Sequence, residues 1–414
     1  MSDSLVVTFN AGSSSLRCGI FRLTDAGPLE IRTLGIRGLP HAMILTERDP
    51  QAGTQSETDL GPPESVARAH PQALAHMLDR IDALSHLGRI GAFSHRVVHG
   101  GRDYIAPVLV TDEVLAGLKA LECLAPSHQP HNLRPIRRVQ ERYPGIAHVA
   151  CFDTAFHRTQ PHHAQIFGLP RDLTDDGILR YGFHGLSYDY IAHKLQRSYP
   201  ELAPGRIIVA QLGNGVSMCA IENGRSIATT MGLTALDGLP MGQRCGAIDP
   251  GVVLHLIMDR GHSPAAVREM LYEESGLLGV SGISGEMNDL LASDRPEAAE
   301  AVDFFVYQCR RNFGSLAAAL GGVDAVVLTG GMGKYIPALR ARLVRELEWL
   351  GAELDPDANA AGGPVITTRQ SRLPVLMLPT DEERVLARSA FGVLGQRAMH
   401  AAAAEAGAAA AAGA

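Results

Sequence analysis

Asn10, Gly12, Ser13, Ser14, Ser15 and Arg17 fall within eight consecutive positions of LVVTFNAGSSSLRCGIF, residues 5–21. Those residue types suit an anion. Glycine lets backbone N–H groups approach a phosphate, the hydroxyls add donors, Arg17 adds charge, and Asn10 can orient a metal-bound water. A serine-rich turn can equally be a solvated turn. Other chemistry-bearing groups are scattered: His95, Arg96 and His99 in SHRVVHGG, Asp153 and His157 in FDTAFH, and His184 between Gly182 and Gly185 in RYGFHG. Arg244 is the one arginine of the glycine-rich stretch 229–250, and Asp381, Glu382 and Glu383 close LPTDEE. Taken singly, each has a plain alternative. Arg96 can be an ion-paired arginine beside a Gly-Gly turn, Asp153 an Asx turn or helix cap, and the acidic run a complement to a helix dipole.

These groups sit where an α/β chain would place a site. Residues 5–9 read as a buried strand and 16–22 as its returning partner, so the serine turn is a hairpin tip. The pattern returns at 207–222, IIVAQLGNGVSMCAIE, where an offset of 201 lays Val6 and Val7 on Ile207 and Ile208, Gly12 on Gly213, and Cys18 on Cys219. Two such hairpins predict a duplicated, two-lobed nucleotide fold, each lobe pointing a hairpin at a central cleft. Strands are expected at 90–98, 147–152, 324–328 and within 365–378. Helices are expected at 64–87, 111–121, 187–198, 251–259, 264–275, 296–320 and 384–395. Ligands of open α/β sheets bind at the carboxyl ends of strands, which is where Arg96 and Asp153 fall. LAPSHQPHN, with two prolines, is expected to leave His128 and His131 in a loop. GLLGVSGIS and TGGMG are expected as turns.

At 414 residues, 46% hydrophobic and 20% charged, the chain suits two domains. We expect a first lobe of residues 1–150 plus about 384–400, a second of 151–383, and an alanine-rich tail at 401–414. A net charge of −7 argues against general nucleic-acid binding but allows a local basic site. Six cysteines without a CxxC pair argue against a disulfide framework or a cysteine metal site. With no apolar run long enough to span a bilayer and no leader-like segment at the amino terminus, a cytoplasmic location is expected.

The ordered motifs NAGSSSLR, SHRVVHGG, FDTAFH, RYGFHG, QLGNGVS, MGLTALDGLPMGQRCGAIDP, ESGLLGVSGIS, LTGGMG and LPTDEE resemble the acetate and propionate kinase family, over roughly residues 4 to 395. The resemblance implies an α/β chain with a duplicated actin-like, ribonuclease H-like ATPase fold. It implies reversible Mg²⁺-dependent (or Mn²⁺-dependent) transfer of a phosphoryl group between ATP and acetate, giving ADP and acetyl phosphate. On it, Asp153, His184 and Arg244 would be catalytic, and Asn10 and Glu382 would bind the metal. Arg96 would hold the carboxylate, with Val98, Ser127, His128, Phe183 and Ala235 around the acyl group. Phosphates and nucleotide would meet Ser13, Ser15, Arg17, Gln211, Leu212, Gly213, Asn214, Gly215, Glu286, Met287, Asn288, Gly331, Met332, Gly333, Lys334 and Tyr335. A homodimer through the second lobe is also implied, with no membrane or nucleic-acid partner.

The chain departs from the family pattern at several of these positions. Arg17 replaces the usual lysine. Ser127 and Ala235 stand where the acyl pocket has leucine and proline, which opens the way to propionate or a larger acid. Glu286 to Asn288 replace Asp-Phe-Arg, and Lys334 and Tyr335 replace Glu-Asn, so a non-adenine donor or pyrophosphate stays open. A non-catalytic binding protein on the same fold is the remaining alternative, and the filled catalytic positions argue against it.

Overall fold

The computed structural model describes residues 4–12, 14–125 and 128–396. They divide into two compact units, one running to Ala155 and resuming at Asp381, the other spanning Phe156–Thr380.

The first unit is built on an eight-stranded mixed sheet in the order β5-β4-β3-β2-β1-β6-β8-β7. Its strands are β1 (Ser4–Ala11), β2 (Ser15–Thr24), β3 (Gly27–Arg37), β4 (Ile44–Asp49), β5 (Thr54–Asp59), β6 (Arg89–Val97), β7 (Val108–Leu109) and β8 (Ala147–Phe152). β1 lies between β2 and β6, and every residue after Ser4 in it is buried, which is why its sequence is mainly apolar on both faces, interrupted by Thr8 and Asn10, rather than an alternation. Helix α1 (Ala69–Ala83) buries Ala73, Leu74, Met77, Leu78 and Ile81 against Val7, Phe9 and Leu34 of the sheet. Helices α2 (Asp112–Ala120) and α3 (Gln129–Arg142) join Val97, Ala150 and Phe152 in a second cluster through Leu115, Leu118, Leu133 and Ile136. The Thr111 hydroxyl caps α2 by accepting from the Val114 N–H. Residues 382–396 return as a helix, and the Ser94 hydroxyl donates to the Leu386 carbonyl at 2.8 Å inside the unit.

The second unit holds a five-stranded sheet in the order β11-β10-β9-β12-β13, from β9 (Arg206–Leu212), β10 (Val216–Glu222), β11 (Arg225–Thr229), β12 (Ala325–Thr329) and β13 (Val375–Met377). Helix Gly185–Ser198 packs Tyr188, Ile191 and Leu195 on it. Helix Pro296–Leu320 buries Val302, Phe305, Cys309 and Phe313 as one stripe. Five strands of the first sheet, β3-β2-β1-β6-β8, have the same order and the same senses, three antiparallel and then two parallel. The expected duplication is therefore a property of the sheets. No single offset superposes both strands, however: Ala11 pairs with Leu16 but Leu212 with Val216, so the second turn is one residue shorter.

Several expectations need correction. The boundary near 150 cuts β8, whose pairing with β6 takes Cys151 and Phe152 into the first unit, and Asp381 to Glu383 go with it too. Residues 27–59, outside the expected strands, add three antiparallel strands to the edge of the sheet. LAPSHQPHN does not end as a loop: α3 starts at Gln129, because Pro130 occupies the first turn, where its missing N–H costs nothing. His131 is thus a helical residue. GLLGVS and GGMGKY are short helices, Gly276–Ser281 and Gly330–Tyr335, in place of turns. Among the described residues no helix is long and apolar enough to cross a membrane. Ser13, Ser127 and the tail 401–414 lie outside the described residues.

Candidate active site

In the first unit the ends of β1, β6 and β8 bring four predicted side chains together. Arg96 donates from Nε to both Asp153 carboxylate oxygens at 3.1 Å, from one terminal nitrogen to Asp153 Oδ2 at 2.6 Å, and from the other to Asn10 Oδ1 at 3.0 Å. Asn10 Nδ2 donates in turn to Glu382 Oε2 at 2.9 Å. The Glu382 carboxylate stands 3.8 Å from the guanidinium. Asp153 is 1% exposed, and burial lifts its carboxyl above the usual value against the pull of Arg96. Burial also opposes the charge of Arg96, but Asp153, Glu382 and Glu383 outweigh it and hold the guanidinium protonated. Glu383 is pushed up to about 7 by burial and by Glu382, and its Oε1 is buried without a partner among the described residues.

Backbone scaffolding around this cluster comes from residues that the sequence reading left out. Asn132, on α3, donates to the Ala11 carbonyl at 2.9 Å and accepts from the Val98 N–H at 3.0 Å, tying the ends of β1 and β6 together. One turn earlier Gln129 donates to the His99 carbonyl and accepts from its N–H. Gly100 is required because a Cβ would come within 2.6 Å of the Tyr104 carbonyl and 3.0 Å of Phe152. Only the amide periodicity of α3, Gln129 and Asn132 on one buried face, could have flagged these residues, and the loop reading hid it. Val98 is buried, His128 stands at the amino end of α3, and Ser15 and Arg17 flank the tip of the first hairpin, with Arg17 exposed.

In the second unit His184, Arg244 and the second hairpin converge. A Cβ on Gly215 would meet His184 Nε2 at 3.1 Å and an Arg244 terminal nitrogen at 3.7 Å, so only glycine leaves this space open. His184 adopts a left-handed backbone, φ 58°, at the start of helix Gly185–Ser198. Its Nδ1 lies 2.8 Å from the Ser217 hydroxyl, which is 2.5 Å from the Tyr188 hydroxyl. Buried His157 sets the preceding residue, its Nε2 2.9 Å from the Phe183 carbonyl and its Nδ1 2.9 Å from Ser226. Burial pushes His157 down to about 4, so it is a neutral strut and not a proton carrier.

Arg244 donates to the Ala235 carbonyl at 2.8 Å and pairs with no carboxylate among the described residues. Burial pulls its pKa down, outweighing the opposite effects of Tyr272 and Glu273. The loop bearing it is stapled by backbone bonds from Leu277 to Met241 and from Leu278 to Gly242. A Cβ on Gly276 would fall 2.1 Å from the Met241 carbonyl, which accounts for the glycine richness of both segments.

The predicted nucleotide residues occupy the strand ends of the same unit. Gln211 is the penultimate residue of β9 and Thr329, which closes β12, is in register beside it; Gln211 Oε1 and Thr329 Oγ1 are buried without partners among the described residues. Gly213 donates to the Gly215 carbonyl across the turn, Asn214 is exposed, and Leu212 is buried. Gly331, Met332 and Gly333 lie in helix Gly330–Tyr335, followed by Lys334 with its ammonium 4.7 Å over the Tyr335 ring. Arg340, missed in the sequence, is 1% exposed and donates to the Gly333 and Lys334 carbonyls and to Asn359, fixing the end of that helix. Glu286 and Asn288 are exposed at a short helix start, while Met287 turns into the interior.

The chain is similar to known proteins over most of its length. The acetokinase family model matches residues 5–388. The chain is 46% identical over 399 residues to the acetate kinase of Methylocella silvestris, covering 95% of this chain and 98% of that protein. It is 47% identical over 393 residues to that of Rhodopseudomonas palustris, covering 94% and 98%. Among solved structures it is similar to a propionate kinase from Francisella tularensis, with TM-score 0.84 and 30% identity over 93% of this chain and 98% of that one. It is similar also to Porphyromonas gingivalis acetate kinase, with TM-score 0.80 and 32% identity over 94% and 100%.

Proposed function

The chain belongs to the acetokinase family, a family of phosphotransferases that interconvert ATP and acetate with ADP and acetyl phosphate; from that premise we propose how its own residues carry the reaction. A transferring phosphoryl group spreads negative charge over its equatorial oxygens, so positioned cations and donors matter more than covalent machinery. Arg244, half-buried and in no ion pair among the described residues, and His184 beside Gly215 are the second unit's donors toward that charge. Arg96 is the first unit's carboxylate holder. Its bonds to Asp153 and Asn10 occupy three of its five N–H groups, leaving one on each terminal nitrogen as a fork for acetate. Asp153 orients that fork. The observation that carries this reading is the Asn10–Arg96–Asp153–Glu382 cluster at three strand ends.

The oxygens around that cluster fit Mg²⁺. Glu382, Asn10 and Glu383 Oε1, which has no partner among the described residues, are hard donors, too few for a closed cage and therefore suited to an ion that keeps water and phosphate ligands. When bound, the cation would neutralise phosphate oxygens of the nucleotide. Gln211, Gly213, Asn214, Gly215, Gly331, Gly333, Lys334 and Tyr335 are the nucleotide residues in this reading. Glu286 and Asn288 supply contacts through a polar edge, and Met287 supplies only packing. Propionate is a second acyl substrate, because Ala235 offers less bulk than the proline usual there.

We place the protein in the cytoplasm as a homodimer. Helix Pro250–Met258, PGVVLHLIM, buries none of its residues, and Val252, Leu254 and Met258 are 47%, 57% and 76% exposed. Such an apolar helix calls for a partner, and a second copy supplies one.

The test is hydroxamate trapping of acyl phosphate with acetate or propionate, ATP and Mg²⁺. Loss of turnover by a factor of about 10² or more in Arg96→Ala and in Arg244→Ala, with folding kept, supports the assignment. Turnover near wild type in either variant removes that residue from the reaction.

A further inference from the structure

A groove of about 840 Å³ in the first unit takes no part in this chemistry. It runs between α1 and α3, with Leu16, Leu74 and Leu78 as an apolar wall and His70, Arg134 and Arg137 beside it. Four arginines within nine residues of α3, Arg134, Arg137, Arg138 and Arg142, concentrate positive charge in a chain whose net charge is −7. Two of the four are engaged. Arg138 pairs with Glu141 at 2.9 Å and Arg142 with Asp82 at 2.5 Å. Arg134 and Arg137 have no carboxylate partner among the described residues, and Glu141, already paired, is the one carboxylate of the lining. The rings of His70 and His131 stack at a tilt, centroids 4.6 Å apart, at the end nearest Ala11.

Two unpaired guanidiniums one turn apart match a dianion, and the leucine wall matches an apolar body. The volume is within the range of small-molecule pockets, roughly 300–1,000 Å³, and far exceeds what inorganic phosphate needs. We propose that this groove binds an organic phosphomonoester with an apolar body, phosphate on Arg134 and Arg137 and the body on Leu74 and Leu78.

Its walls also hold the catalytic strands. His70 Nε2 lies 3.1 Å from the Gly12 carbonyl, and Asn132 of α3 bonds both Ala11 and Val98. A ligand that shifts α3 against α1 therefore moves the tip of the first hairpin and the end of β6. Occupancy of the groove changes the affinity for acetate, a consequence that rests on the role assigned to Arg96.

The experiment is calorimetric titration of n-hexyl phosphate into the full chain, with inorganic phosphate and anionic phospholipid vesicles as parallel probes. Two variants accompany it. Arg134→Ser with Arg137→Ser removes exposed charge, and Ala75→Trp fills the groove without touching charge; unchanged thermal midpoints show that both fold. The expected result is saturable binding at least ~10-fold tighter than inorganic phosphate and weakened ~10-fold in both variants. With it, KM for acetate shifts by about fivefold or more in wild type and not in the variants. Binding equal in wild type and both variants places the anion elsewhere and overturns the proposal. So do inorganic phosphate binding as tightly as hexyl phosphate, and binding to vesicles alone. Groove binding that leaves KM unchanged overturns the coupling while sparing the catalytic assignment, which the Arg96→Ala turnover tests separately.

Discussion

His184 Nδ1 and the Ser217 hydroxyl lie 2.8 Å apart, and the Tyr188 hydroxyl sits 2.5 Å behind Ser217. Burial raises the Tyr188 phenol well above its ordinary value, so it keeps its proton. Ser217 is that phenol's partner among the described residues, so Tyr188 donates to Ser217 and Ser217 donates to His184 Nδ1. The imidazole proton is thereby held on Nε2, the nitrogen facing Gly215.

Ser217→Ala is expected to lower kcat about tenfold with little change in KM for acetate, because the tautomer is no longer fixed. It also strands the Tyr188 hydroxyl, at about 1–3 kcal/mol of stability. Ser217→Ala combined with Tyr188→Phe should regain the stability and not the kcat. Recovery of both in the double variant would assign the relay to packing.

Arg96→Ala leaves Asp153 buried and unpaired, a loss of about 3–5 kcal/mol, so the thermal midpoint should fall along with turnover. Adding Asp153→Asn should restore most of the midpoint and none of the turnover. Arg96→Lys keeps the charge without the fork and should stay far below wild type. Thermal unfolding beside the hydroxamate assay separates these outcomes.

Acid should weaken the first unit through a pair of core imidazoles. His95 Nε2 and His148 Nδ1 are 3.0 Å apart, stacked with Phe9 and Phe93. Burial holds His95 well below the usual value and His148 at about 4. The unfolded chain binds protons that the folded one refuses, so stability is full above about pH 6.5 and is lost as pH falls toward 4. The loss attributable to His148 is on the order of 2–3 kcal/mol. His148→Gln should flatten this slope in denaturant titrations across pH 4–7; an unchanged slope would exclude the pair.

If the proposed homodimer forms through this helix, Leu254→Glu should give a monomer by light scattering at micromolar concentration where the wild type gives a dimer, since it places charge in the middle of the unburied apolar helix Pro250–Met258. A dimer that survives the substitution would move the interface elsewhere.

Ala235→Pro should lower turnover with propionate relative to acetate by a factor of about 10 or less, the scale of one methylene in an apolar pocket. A ratio that does not move in competition assays would remove position 235 from acyl selection.

Strand and helix positions carrying chemistry were legible wherever local pattern and tertiary role agree. Residues 5–9 are apolar but for Thr8 because β1 is central, and Asp153 of FDTAFH follows a strand as read. α3 was not legible, because its prolines signal a break and its buried face carries Gln129, Asn132 and Pro135 where apolar residues would announce a helix. Arg340 was invisible for a related reason: a buried arginine bonded to backbone carbonyls looks, in sequence, like any surface cation. The two hairpins were found through their glycines, but the one-residue difference between their turns needs the register of the ladders.

The discontinuity of the first unit has a consequence for how the chain is made. Glu382 and the helix that anchors Ser94 are the last described parts of the unit to leave the ribosome, whereas residues 156–380 form a contiguous unit. Translation of that intervening segment takes on the order of ten seconds or more. For that interval the nascent first unit has Asn10, Arg96 and Asp153 but lacks its closing carboxylate and the helix that covers Ser94. Its apolar sheet face must therefore wait, in reach of chaperones and proteases, while the second unit completes itself.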